Sequence, residues 1–151
     1  MGAQFSTTAG AVTLTAAATK SLILLNPVTN RAVLTQVSIS LNGSAAGTAV
    51  EFDLYRVVTI GSAAGTTGTQ NALDPASQAA TTTSLTSLTT EPTTVSVLDS
   101  WDIQELGGLF VIQYPLGREP VLAAAGARVG IRYVTAAATT PSCVSTMWFE
   151  E

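Results

Sequence analysis

The chain has 151 residues and a formal net charge of −4; 46% of it is apolar and only 11% charged, against a usual quarter or so. That length suits one domain with a real core and is too short for two. With no histidine, one cysteine and six basic residues in no cluster, it excludes a Ser–His triad, a Cys/His zinc site, an internal disulfide and the electrostatic footprint of nucleic-acid binding.

Residues 1–11 are small and polar around Phe5 and read as a flexible N-terminal arm, with the sandwich domain running from 12 to 151. Met1–Ser6 fits the loose M-G-x-x-x-[ST] acylation pattern and resembles the start of picornavirus internal capsid proteins, over those six residues alone. Val12 to Thr15 alternates briefly and suggests a first strand. Ser21 to Asn26 is a continuous apolar run ended by Pro27, the pattern of a strand buried on both faces.

The strongest signals follow. From Val33 to Leu41 the odd positions are mostly apolar and the even ones hydroxyl or amide. From Val50 to Ile60 the even positions (Val50, Phe52, Leu54, Arg56, Val58, Ile60) point to the core, against Glu51, Asp53, Tyr55 and Thr59 toward water. The link from Asn42 to Thr48, with two glycines, predicts that the second strand turns back on the first.

From Gly61 to Thr94 the chain becomes rich in Gly, Ala, Ser and Thr, and reads as a long ordered loop excursion anchored by Leu73, Leu85 and Leu88. Strand signals return at Thr94–Leu98, continue past Trp101 and Ile103, and recur at Leu109–Tyr114, Ala127–Thr135 and Cys143–Phe149. In the third of these, Val129, Ile131 and Tyr133 face inward against Arg128 and Arg132. No segment has the helical period. The economical architecture is all-β: a single antiparallel β-sandwich of the jelly-roll kind.

Chemistry is sparse. The single lysine, Lys20, is next to Ser21 and on a strand points to the opposite face, which disfavours a Ser–Lys dyad. Asp99, Asp102 and Glu105 around Trp101, and Glu51 with Asp53, are the carboxylates available for acid–base work, and the first three also for calcium. Their spacing matches no EF-hand loop, and strand-surface ion pairs with Arg128 and Arg132 are the simpler reading. No phosphate-cradling glycine motif occurs, so neither catalytic residues nor a cofactor or metal are expected. Cys143 reads as a small buried hydrophobe. No apolar run nears the ~20 residues of a membrane helix, and no Sec-type leader is evident, so no membrane association is expected.

A surface of Thr (24) and Ala (23) carries little long-range repulsion and tolerates close neighbours, which points to an assembly component. Glu51–Arg56, Glu91-Pro92, Gln113-Tyr114-Pro115-Leu116-Gly117-Arg118-Glu119-Pro120, Gly130–Arg132 and Trp148–Glu151 together resemble the head decoration (cement) proteins of tailed bacteriophages. The resemblance spans roughly residues 20–151, and Gln113 to Pro120 is its most distinctive part. It implies a β-sandwich, homotrimeric, that binds the major capsid protein on the outside of the virion shell and catalyses nothing. It would be made in the host cytoplasm and end on the capsid surface. In that setting the arm orders on the shell, with Gln4 and Phe5 as contact residues. The alternatives are a receptor- or glycan-binding module of a tail fibre or spike, and a jelly-roll shell subunit.

Overall fold

The computed structural model describes residues 2–14, 19–43, 49–124, 126–134 and 139–151. It contains twelve strands: β1 (Gln4–Thr13), β2 (Lys20–Asn26), β3 (Ala32–Asn42), β4 (Ala49–Thr59), β5 (Ala64–Thr67), β6 (Gln70–Ala72), β7 (Thr83–Thr90), β8 (Thr94–Gln104), β9 (Leu109–Gln113), β10 (Val121–Leu122), β11 (Val129–Tyr133) and β12 (Ser142–Glu150). Two antiparallel sheets pack face to face. The front sheet runs β10-β3-β12-β1-β6, with β9 also on the free side of β3; the back sheet runs β5-β7-β2-β11-β4-β8. Within them, β1-β12-β3-β9 faces β2-β11-β4-β8, which is the strand order of a jelly roll.

The expected hairpin between the two strongest strands does not form. β3 lies in the front sheet beside β12, and β4 in the back sheet between β11 and β8. Both are eleven residues long and each has an apolar stretch along one face. Opposed across the core, Leu34, Val37 and Ile39 meet the layer of Val50, Phe52 and Leu54, and all six are essentially inaccessible. Pairing side by side would place both apolar faces in one sheet and leave the core half built. Residues 44–48 of the connection lie outside the described set.

Residues 4–13 are a strand, correcting the flexible-arm reading. β1 sits between β12 and β6, with Phe5 directly opposite Phe149 and the two rings stacked at 5.6 Å. Only 2% of Phe5 is exposed, and its burial contributes about 2–3 kcal/mol, so this end is fixed to the body. Its short run of hydroxyl residues looked like a tail because Thr7, Ala9 and Val12 point inward from a strand with few large side chains.

The 61–94 excursion is not one loop but carries three strands, β5, β6 and β7. β6 extends the front sheet beyond β1; β7 and β5 extend the back sheet beyond β2. Leu88 is buried as expected and Leu85 half-buried, while Leu73 is exposed. The two extensions are tied by hydroxyls: Thr7 Oγ1 and Ser84 Oγ lie 3.0 Å apart, and Gln70 Nε2 donates to the same Ser84 oxygen at 2.7 Å. The Thr/Ser content thus encodes narrow strands whose side chains bond across the sandwich edge.

Apolar burial is not confined to the space between sheets. Leu24, Tyr55 and Leu88 form a second cluster on the outer face of the back sheet, with Val57, Ile60, Ala63, Leu85 and Val95 against them. This is why the alternation in β4 fails midway. Tyr55 and Asp53, expected toward water, are buried, whereas Arg56 and Val58, expected inward, are exposed. β2, buried along five consecutive residues, and β11, with Val129, Ile131 and Tyr133 inward, agree with their sequence pattern.

Candidate functional site

The outer face of the back sheet is organised by one polar chain. Antiparallel register places Arg132 opposite Asp53, and Asp53 opposite Ser100. Asp53, 3% exposed, accepts two hydrogen bonds from Arg132 on Oδ2 (3.0 and 3.2 Å) and one from Ser100 Oγ on Oδ1 (2.6 Å). The Arg132 guanidinium lies 5.4 Å above the Tyr55 ring. Tyr55 Oη donates to Ser21 Oγ at 2.7 Å, and Ser21 donates from both its amide and its hydroxyl to Glu91. Burial drives the Tyr55 phenol well above its ordinary pKa, partly offset by the Ser21 hydrogen bond. A phenol held neutral and a carboxylate saturated by donors are structural roles. Ser21 accepts from Tyr55 and donates to Glu91, so its hydroxyl is a link in the same polar chain.

The other carboxylates do not converge. Glu51 sits opposite Asp102 in the β4–β8 register, Glu105 is fully buried and accepts from Thr139 Oγ1 at 2.7 Å, and Asp99 lies on the inward parity of β8, opposite Leu54. Asp99 itself is exposed, and a charged side chain on an edge strand, next to the irregularity at Leu98, blunts that edge against pairing with other chains. Among the described residues no group of three or more His, Cys, Asp or Glu is arranged to hold a metal ion. Cys143 is 1% exposed and burial pushes its thiol up to about 12, in accord with the inert, apolar role read from sequence.

The outer face of the front sheet is different in kind. Register aligns its outward side chains into rows: Leu109, Ser40 and Val144; then Val111, Ser38, Thr146 and Thr8; then Gln113, Gln36, Trp148, Ser6 and Asn71. None of these is ionisable; the next row, Val33, Glu150 and Gln4, carries the Glu150 carboxylate at the margin of the face. Leu109 is 71% exposed, Val111 52% and Val144 37%. β9 reads as apolar on both parities because its Phe110 and Ile112 line the sandwich while Leu109 and Val111 stand in solvent. Trp101 of β8 packs against Phe110 with ring centroids 4.7 Å apart and the planes tilted by 32°, and closes that edge between the sheets.

At the far end of the same face the rows run into a cavity of about 410 Å³. The segment Gln113–Pro120 forms one wall: Tyr114 N donates to Thr35 O at 2.9 Å, Arg118 N closes a turn onto Pro115 O at 2.9 Å, and Gly117 N donates to Glu119 Oε2 at 2.6 Å. The turn lifts Leu116 fully into solvent, and Gly117 takes the left-handed φ of 84° that the turn needs. Gln4 and Leu73, adjacent through the Leu73 N to Gln4 O hydrogen bond, form the opposite wall. Of the two contact residues expected from sequence, Gln4 is therefore exposed on this face. Phe5 is in the core and unavailable to a partner.

No protein-family model, curated protein or solved structure matches this chain.

Proposed function

We propose that the chain is a structural virion protein that binds the outer surface of a bacteriophage capsid and stabilises it, as a homotrimer and without catalysis. Its partner in this reading is the major capsid protein, reached after synthesis in the host cytoplasm. The observation that carries it is the band of uncharged rows from Leu109 to Trp148 on the outer face of the front sheet, with Leu109, Val111 and Val144 exposed between serines and threonines. Burying such a band strips water from aliphatic groups without desolvating a charge, and hydroxyls adapt to either donors or acceptors opposite them. A standard interface needs about 800 Å² from each partner, a size that one face of this sandwich can supply. The resemblance of the Gln113–Pro120 segment to head decoration proteins supports the same reading.

The flexible arm has no place in this proposal, since β1 is part of the sheet that would dock. The test is co-sedimentation of the purified protein with undecorated heads, comparing the native chain with Val111→Asp. Saturable binding by the native chain and its loss in the variant are expected. Equal binding by both would mean that another face docks.

A further inference from the structure

We infer that the 410 Å³ cavity at the end of the front sheet is a binding site for a neutral saccharide. Three primary amides converge on it from three places in the chain: Gln4 of β1, Gln36 of β3 and Gln113 of β9. Each presents a donor and an acceptor a single bond apart from one carbon, the pattern that meets adjacent hydroxyls of a sugar ring. None of the three is engaged by another described side chain. Trp148, half-buried between Gln36 and Ser6 in the register, supplies the apolar surface on which the C–H face of a pyranose rests. Glu119 adds a carboxylate oxygen able to accept hydroxyl protons.

The charge of the lining selects among ligands. No lysine or arginine lines the cavity and one carboxylate does, so phosphorylated or acidic sugars meet repulsion and no counter-charge. A wholly apolar ligand would cover the amides without satisfying them, which costs affinity for each donor left unpaired. The volume lies in the range of about 300–1,000 Å³ typical of small-molecule sites. The walls are also preformed: the Pro115–Arg118 turn and the tie from Tyr114 to Thr35 fix one side, and Thr35 Oγ1 donates to the Trp148 carbonyl at 3.1 Å. Little ordering is left for a ligand to induce. The segment most distinctive in the sequence, Gln113 to Pro120, thus acquires a role as the wall and rim of this site.

This inference does not depend on capsid binding. Val144 and Trp148 are four residues apart on one strand, about 13 Å at the usual strand rise, so the aliphatic rows and the cavity are separable by mutation. The experiment is saturation-transfer NMR and titration calorimetry of the full chain with cellobiose, maltose, lactose and N,N′-diacetylchitobiose, and with glucose 6-phosphate as the charged probe. Saturable binding of at least one neutral disaccharide is expected, with a dissociation constant on the order of 1 mM, and none of glucose 6-phosphate. Gln113→Ala and Trp148→Ala, each checked for an unchanged circular dichroism spectrum, should weaken it about tenfold, and Gln36→Ala provides a third variant should either fail to fold. Val144→Asp, at the far end of the aliphatic rows, should leave it unchanged while weakening head binding, so failure of one proposal is distinguishable from failure of the other. Absence of saturable binding to all four neutral sugars, preference for the phosphorylated one, or binding that survives in the folded cavity variants would overturn the assignment.

Discussion

Gly130 is the point where the back sheet is least forgiving, and its replacement by alanine tests the account of that sheet. Gly130 lies in β11, directly opposite Tyr55 on one side and Leu24 on the other. The Tyr55 phenol passes over it to reach Ser21 on β2. A methyl group there would stand 2.6 Å from Tyr55 Oη and 2.7 Å from the Ile23 carbonyl oxygen. The first contact is relieved only by moving the ring, which breaks the 2.7 Å bond to Ser21; the second is with backbone and is relieved only by shifting a strand. Overpacking of this kind costs about 1–3 kcal/mol and the lost buried hydrogen bond about 1 kcal/mol more. A total of about 2–4 kcal/mol is a large share of the usual ~5–15 kcal/mol and should lower the thermal midpoint by about 5–15 °C. Urea unfolding followed by circular dichroism measures it directly, with Tyr55→Phe as the comparison expected to lose only about 1 kcal/mol. A Gly130→Ala protein within ~0.5 kcal/mol of the native chain would refute the packing described for Tyr55.

Three further outcomes follow from the same geometry. Asp53→Ala should cost about 2–3 kcal/mol in urea unfolding, because it leaves the Arg132 guanidinium without its carboxylate, whereas loss of the exposed Arg56 should cost under ~0.5 kcal/mol. Burial alone would raise the Glu151 carboxyl, but hydrogen bonds from Thr82 and Thr81 outweigh it and hold the pKa below its ordinary 4.5. A folded pKa below the unfolded one adds stability that is present above the unfolded value and lost as pH falls through the folded one. Glu151→Gln should therefore destabilise the protein at neutral pH by an amount that shrinks below about pH 4.5, as seen by thermal unfolding across pH. Cys143, buried and with its thiol raised to about 12, should react with a thiol reagent at neutral pH only as fast as the protein unfolds; rapid labelling of the folded chain would contradict its placement.

Most of the strands were legible from sequence, while their arrangement was not. Period-two alternation located β3 and β11, each with one apolar face in the core, and the apolar run after Pro141 located β12. It misjudged β4, where a second apolar cluster around Tyr55 covers the outer face, a contact set by Leu24 and Leu88 from distant strands. The β3–β4 hairpin failed for a similar reason: adjacency in sequence favours pairing, but two long strands with strong apolar faces are better used on opposite layers. β1, β5, β6 and β7 were hidden by small hydroxyl residues, whose pairing with neighbouring strands carries no local pattern. The scarcity of charge in the sequence agrees with the uncharged rows of the front face, whereas nothing in the sequence pointed to the cavity. No local pattern could bring Gln4, Gln36 and Gln113 together, since their proximity rests on β1, β3 and β9 sharing one sheet.

The central claim is that the band of uncharged rows on the front face docks on a capsid. The most direct measurement is the occupancy of undecorated heads by native and Val111→Asp protein at matched concentrations, read by sedimentation. The account predicts saturable occupancy by the native chain and at least a tenfold weaker binding by the variant, since an aspartate buried in such an interface goes unpaired. Native protein that does not co-sediment with heads at all, or a variant that binds as well as the native chain, would contradict it.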